Sequence, residues 1–136
     1  MDQRPARFLR TVGPDELLEE LIDEAKDRTW SFGVEVALVE LRSGARAFVT
    51  GGHDGIIFEV WEAAGEVVLR CEAPPAPPLE ITGIAWHTHP RATGPSDGDR
   101  EALRVLKQAQ SRIYEIGGAA IGTPFGPGKA QPRDEN

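Results

Sequence analysis

The stretch IAWHTHPRATGPSDGD, residues 84–99, contains two histidines separated by one residue, a proline, a short loop, and a serine followed three residues later by an aspartate. In a β-strand, side chains two positions apart point to the same face, so His87 and His89 would project side by side with Cα atoms about 7 Å apart. Two imidazoles at that separation can bind one cation. The stretch therefore predicts a strand with a metal site, a turn and the start of a helix.

Zinc is the metal that this combination of side chains favours. It accepts histidine nitrogen and aspartate oxygen at about 2.0 to 2.2 Å, and a catalytic zinc uses three protein ligands and keeps one position for water. Asp99 supplies the third ligand if the loop after Pro90 folds the next helix back over the end of the strand. Ser96 and Asp99 are also typical of a helix N-cap and first turn. Both interpretations can hold together, because a helix start is a stable place for a ligand.

Hydrolysis of an amide at such a site also requires a base. Zinc lowers the pKa of bound water towards about 7, but another group must take a proton and return it to the leaving nitrogen. Glu35 is the predicted base, because it interrupts an apolar strand and points away from Val34 and Val36. Glu40 is the alternative base on the same strand. Ser96, close to the metal, is predicted to stabilise the oxyanion that develops on the attacked carbonyl.

Before this stretch, the hydrophobic pattern predicts one helix and two hairpins. Apolar residues at i, i+3 and i+4 indicate an amphipathic helix over residues 14–28, whose acidic face is predicted to be solvated. A change to period two predicts a hairpin from residues 34–39 and 46–50. A second hairpin is predicted from residues 56–61 and 66–71.

Around the histidines, proline and glycine mark the boundaries of further elements. The sequence PPAPP, residues 74–78, is predicted to form an extended surface connection before the chain re-enters the sheet at Ile81. A second helix is predicted after Pro95 and ends near Gln110, and a last strand covers residues 113–116.

Together these elements predict one α+β, or mixed α/β, domain with a largely antiparallel sheet flanked by helices. The length of 136 residues is that of a single domain. The predicted division is an N-terminal arm over residues 1–12, the domain over residues 13–123, and a flexible tail over residues 124–136, which is rich in Pro, Gly and charge.

Composition limits the classes of partner. The net charge of −7 argues against general binding to nucleic acid or to anionic membranes, since both need basic surface. No apolar run approaches the roughly 20 residues that span a bilayer, and the only cysteine, Cys71, excludes an intramolecular disulfide. The expected protein is soluble and cytoplasmic. Cys71 and Trp86 are predicted to be buried in the core, and His53 is predicted to be a turn residue rather than a ligand.

At the histidines the sequence resembles a known family. HTHP followed by PSDGD is similar to the JAMM signature of the JAB/MPN metalloproteases, His-x-His-Pro, a short loop and Ser-x-x-Asp, and most similar to the bacterial JAB-like domains of polymorphic toxin and related systems. The similarity extends forward through REALRVLKQAQSRIYEIGG and, more loosely, back to VEVALVELRSG.

This resemblance implies an MPN-like fold and a zinc-dependent peptidase or isopeptidase that acts on a protein or peptide substrate, with a ubiquitin-like modifier as one candidate. It implies that His87, His89 and Asp99 are metal ligands. It further implies that Ser96 is the oxyanion serine and Glu35 the general acid/base.

Two other functions are compatible with parts of the sequence. The first is a catalytically inactive MPN-like module that binds a partner protein, but such relatives typically lack the ligands that this chain has. The second is a metal-dependent phosphate esterase, which would require ligands for a second metal and basic residues for phosphate. Only Arg91 and Arg100 lie near the motif, so the sequence favours the peptidase.

Overall fold

The computed structural model describes residues 1–118 and 121–128. These residues form ten strands and two helices: β1 (Gln3–Pro5), β2 (Arg7–Val12), α1 (Leu18–Phe32), β3 (Val36–Leu41), β4 (Arg46–Thr50), β5 (Gly55–Ile57), β6 (Glu59–Ala63), β7 (Glu66–Ala73), β8 (Ala76–His89), α2 (Asp97–Leu106), β9 (Ser111–Glu115) and β10 (Thr123–Phe125). The predicted α+β class with a mostly antiparallel sheet is confirmed.

The main sheet has the strand order β10-β9-β8-β3-β4-β2-β7-β6 within the described residues, and β1 pairs separately with β5. The pairs β8–β9, β2–β7 and β1–β5 are parallel, and the other pairs are antiparallel. The long strand β8 also pairs with β7 through its first half. Strands β8, β3, β4, β2 and β7 therefore form a closed ring of pairings, and β8 is its junction.

The two faces of β3 support two separate cores because its side chains alternate. Val36 and Leu38 pack on the side of α1, in a cluster with Leu21 of that helix. Ala37 and Val39 point the other way into the larger cluster, which includes side chains of β4, β7, β8 and α2. The helices thus lie on opposite faces of the strand pair that carries the histidines.

The first helix is displaced from its predicted bounds of residues 14–28 and covers Leu18–Phe32 instead. Its start is delayed because the Glu16 carboxylate accepts the backbone N–H of Gly13, which holds this segment as a turn. Its end is set by Gly33, which adopts the left-handed conformation with φ 64° and donates its N–H to the carbonyl of Thr29.

The proline-rich segment is also different from the prediction of a surface connection. Residues 76–80 are the first part of β8, and Leu79 and Glu80 pair with β7. This part of β8 has β7 on one side, and β3 joins only from Ile81 onward. Proline is tolerated there because the free edge needs no backbone donor.

Helix α2 ends at Leu106, before the predicted end near Gln110. Lys107 caps the helix in the left-handed conformation, with φ 56°. The chain leaves the helix here because the Gln108 side chain bonds to the backbone of β8.

The chain ends also differ from the predicted division. Residues 1–12, predicted as an arm, contain β1 and β2, and β2 lies between β4 and β7 in the main sheet. Residues 124 and 125, at the start of the predicted tail, form β10 together with Thr123, beside β9. Residues 129–136 of that tail lie outside the described residues. Among the residues described, no helix is both long enough and apolar enough to cross a membrane.

Candidate metal centre

Four side chains meet on one face of the sheet at the end of β8. The ligand atoms of Glu35, His87, His89 and Asp99 all lie within 4.8 Å of one another. The Nε2 atoms of the two histidines are 2.9 Å apart. Asp99 places Oδ1 3.2 Å from Nε2 of His87 and Oδ2 3.2 Å from Nε2 of His89. This cluster can hold a metal ion.

The donor atoms fit the geometry of a zinc ion. Ligands about 2.0 to 2.2 Å from zinc stand about 3.3 to 3.5 Å apart at tetrahedral angles. The two Nε2 atoms are 2.9 Å apart, and Oδ1 and Oδ2 of Asp99 lie 3.2 Å from Nε2 of His87 and of His89 respectively, so each of these three spacings is within a few tenths of an ångström of that value. Two imidazoles and one carboxylate are also a ligand set that zinc accepts, with a fourth position left for water or substrate.

A β-bulge in β8 aims the histidines into the site. Trp86 pairs with Leu38 and Ile84 pairs with Val39, which leaves Ala85 as an extra residue. The extra residue changes the alternation, so Ile84 packs with Val39 in the larger core while Trp86 packs with Leu38 near α1. His87 and His89 consequently point to the face that carries Glu35 and Asp99.

The backbone groups at this bulge are bonded by side chains from the segment after α2. Gln108 accepts the N–H of Ile84 at 2.9 Å and donates to the carbonyl of the same residue at 2.6 Å. Ser111 donates to the carbonyls of Ile84 and Ala85. These bonds satisfy polar groups that the irregular strand leaves unpaired, and they fix the strand just before His87.

Glu35 occupies the residue before β3, where its backbone is bonded to the loop after β4. Its Oε2 lies 3.6 Å from Nε2 of His89, and the residue is 5% exposed. The alternative base, Glu40, is exposed on β3 and does not belong to the cluster. Of the two glutamates, Glu35 is the one beside His87, His89 and Asp99.

Asp99 is presented by the first turn of α2. Ser96 is the N-cap, and its Oγ accepts the backbone N–H of Asp99 at 3.1 Å while the Asp99 carboxylate accepts the N–H of Ser96 at 2.9 Å. Asp99 therefore belongs both to the capping box that the sequence suggested and to the four-residue cluster. The Ser96 hydroxyl acts as an acceptor in this bond, so its hydrogen is free for another partner.

Burial and neighbouring charges shift the pKa values of the cluster residues in opposite directions. Burial is the main cause that raises the pKa of Glu35 to about 8, although nearby His89 lowers it. Burial alone would raise the pKa of Asp99, but hydrogen bonds from His87 and His89 outweigh it and hold that pKa well below its ordinary value. The pKa of His89 is raised: burial lowers it, but Asp99 and Glu35 have the larger combined effect.

Behind the histidines, the opposite face of β8 is packed against α1. Trp86 is buried as predicted and makes edge contacts with Phe48 and Tyr114. The buried hydroxyls of Thr29 and Thr88 bond to each other, and Thr88 also accepts the N–H of Val36. This network ties the end of α1 to the two strands that carry Glu35 and the histidines.

Two residues at the site were not expected from the sequence. Thr93 lies in the loop after β8, and its Oγ1 is 3.1 Å from Nδ1 of His89. Phe125 of β10 packs edge-on against the ring of His87, with centroids 5.8 Å apart. Thr93 follows the second histidine by four residues. This spacing indicates a contact with His89 only if the loop is known to turn back towards the strand. Phe125 lies in the part of the chain that composition marked as tail.

The other residues considered as sites have structural surroundings. His53 is 3.2 Å from the carboxylate of Asp54 through Nδ1 and is not part of the four-residue cluster. Cys71 is buried in the larger core, where burial raises the pKa of its thiol to about 11. Such a thiol is a poor nucleophile.

A groove runs from the cluster between α2 and the strands β5 and β6. Ser96, Gly98 and Asp99 line its end at the cluster, and its volume is about 230 Å³. Its apolar lining comes from both sides, and includes Ile56, Phe58, Val60 and Val105.

Comparison with protein-family models, curated proteins and solved structures found no match for this chain. The resemblance to the JAB/MPN family therefore depends on the sequence motif, and the MPN-like fold stays a prediction.

Proposed function

We propose that this protein is a zinc-dependent metallopeptidase that hydrolyses a peptide or isopeptide bond in a protein substrate. The observation that carries the proposal is the convergence of His87, His89 and Asp99, with the buried carboxylate of Glu35 beside them. The JAMM-like motif supports the same chemistry. The apolar groove that ends at Asp99 supports a peptide as the substrate.

The residues of the chain divide the reaction between them. His87, His89 and Asp99 would hold zinc, which supplies Lewis-acid activation of water and of the substrate carbonyl. Glu35 takes a proton from the attacking water and passes it to the leaving amine. The free hydroxyl hydrogen of Ser96 donates to the oxyanion of the tetrahedral intermediate.

The environment of Glu35 suits this exchange of a proton. A general base works best when its pKa lies near the working pH, and burial moves the pKa of Glu35 towards that range. The carboxylate Oε2 of Glu35 lies 3.6 Å from Nε2 of His89, so it would lie close to a water molecule on an ion held by the cluster.

Two measurements test the proposal. Zinc content by elemental analysis should be close to one ion per chain in the wild type and should be lost in His89→Ala. Glu35→Gln should keep zinc but lose at least about 100-fold in the hydrolysis of peptide and ubiquitin-like fusion substrates, because it cannot accept a proton. Glu40→Gln is the matched control, because Glu40 is an exposed glutamate on β3 outside the cluster, and it should keep both properties.

The outcomes separate the candidate functions. A wild-type protein that takes up no zinc, even when zinc is supplied, would overturn the metallopeptidase. Zinc binding without hydrolysis of any substrate in the wild type would instead favour the inactive MPN-like interaction module.

A further inference from the structure

His89 has a defined contact at each of its two ring nitrogens. Its Nε2 points into the cluster, 2.9 Å from Nε2 of His87 and 3.2 Å from Oδ2 of Asp99. Its Nδ1 points out of the cluster to Oγ1 of Thr93, at 3.1 Å. A nitrogen that binds a metal must carry no proton, so neutral His89 must hold its proton on Nδ1, facing Thr93.

The interior of the metal-free cluster favours the opposite tautomer. A proton on Nε2 of His89 would find an acceptor in the carboxylate of Asp99, whose Oδ2 lies 3.2 Å from that nitrogen. That tautomer has no lone pair to offer a metal at Nε2. An acceptor on the Nδ1 side is therefore needed to shift the balance towards the form that binds a metal.

The loop that carries Thr93 is held in place from β9. The N–H of Gly94 donates to Oε2 of Glu115 at 2.8 Å, and Gly94 adopts the left-handed conformation with φ 68°. The N–H of Ile116 donates to the carbonyl of His89 at 3.0 Å. The same end of β9 thus fixes both the histidine and the loop whose hydroxyl contacts it, although Thr93 itself is exposed.

We propose that Thr93 is a positioning residue for the metal centre, whose hydroxyl oxygen accepts the Nδ1–H of His89 and keeps Nε2 free for a metal ion. The inference rests on metal binding by the cluster, which the proposed function requires. It adds a residue outside the predicted motif whose role is to set the tautomer and ring orientation of one ligand.

Zinc affinity of the metal-free protein tests this role. Thr93→Val keeps the shape of the side chain but has no acceptor, and should weaken zinc binding by about 10-fold or more in competition with a chromophoric chelator. Thr93→Ser restores the hydroxyl and should bind zinc close to wild type. Thr82→Val is the matched control, because Thr82 is an exposed threonine on β8, the strand of His89, and lies away from the cluster. The thermal midpoint of metal-free Thr93→Val should equal that of the wild type.

Each contrary result has a separate meaning. Wild-type affinity in Thr93→Val, or affinity in Thr93→Ser as weak as in Thr93→Val, would overturn the inference while leaving the proposed function intact. A fall in the metal-free midpoint of Thr93→Val would make the role merely structural and would also overturn it. Failure of the wild type to bind zinc would overturn the inference and the proposed function together.

Discussion

Glu35 combines a buried position with a carboxyl group, and this combination makes the stability of the metal-free protein depend on pH. Burial raises its pKa from the ordinary value of 4.5 to about 8, so the folded state keeps a proton that the unfolded chain has released. The free energy of unfolding should therefore fall as the pH rises from about 5 to about 8, with a slope that approaches about 1.4 kcal/mol per pH unit. The raised pKa of His89 acts in the same direction, because its stabilisation is lost as the pH rises through the folded value.

Urea unfolding of chelator-treated protein at pH 5.5, 6.5 and 7.5 measures this dependence. Glu35→Gln should flatten the part of the slope that comes from the carboxyl and leave the part that comes from His89. Glu40→Gln should retain the wild-type slope, since Glu40 is exposed on β3. An equal slope in Glu35→Gln and the wild type would show that Glu35 is ionised normally in the folded protein.

Single residues of the site were predictable where their spacing alone carries the information. The alternation of a strand places His87 and His89 on one face, and the N-cap pattern places Asp99 in the first turn of α2. Thr93 and Phe125 were not predictable, because their contacts depend on how a loop and a distant strand return to the histidines. No local pattern encodes such returns.

At the level of elements, the bulge at Ala85 decides which face of β8 carries each residue. Gln108 supplies both a donor and an acceptor to the backbone of Ile84. Gln108→Leu should lower the free energy of unfolding by about 1 to 3 kcal/mol, because the N–H of Ile84 loses its side-chain acceptor and the carbonyl of Ile84 keeps only Ser111 as a side-chain donor. It should also weaken zinc binding, because His87 follows the bulge by two residues.

The control for this substitution is Gln110→Leu, which changes an exposed glutamine close by in the chain. Chemical unfolding of the metal-free proteins gives the loss of stability, and competition with a chelator gives the zinc affinity. If Gln108→Leu matches Gln110→Leu in both measurements, the bulge does not depend on the glutamine.

For the helices and strands too, features set by neighbouring residues were predicted from the sequence, and features set by distant contacts were not. Both helices were predicted from periodicity, and their ends were misplaced where a side chain bonds to the backbone, as Glu16 does before α1 and Gln108 does after α2. Glycine at position 33 was a local signal for the end of α1. The prolines at 77 and 78 are compatible with a strand only because β7 covers a single edge there, which depends on the sheet order.

For the whole molecule, the closed ring of strands depends on residues that the sequence suggested were an arm. Strand β2 pairs with β4 from Arg7 to Val12 and with β7 at Arg7. Ala6, just before it, is buried and bonds through its backbone to Ile57 and Glu72. The sequence of β2 is short and charged, so it did not predict a strand inside the sheet. In the structure Arg10 forms ion pairs with Glu16 and Glu24 from the region of α1, which the local sequence does not show.

A chain that begins at residue 13, the predicted domain boundary, should therefore fail to fold cooperatively. The loss of residues 1–12 removes β2, the strand that joins β4 to β7. This opens the ring and exposes the apolar side chains that β2 and Ala6 cover. Circular dichroism and thermal unfolding should show a broad transition or none, and zinc should bind weakly because β3 and β8 lose the sheet that supports them. Arg4→Ala in the full chain is the control, because the Arg4 side chain is exposed. Among the described residues its one ion pair is with Asp2. A shortened chain with the wild-type midpoint and zinc affinity would mean that the ring is dispensable and that β3, β8 and α2 suffice to build the metal centre.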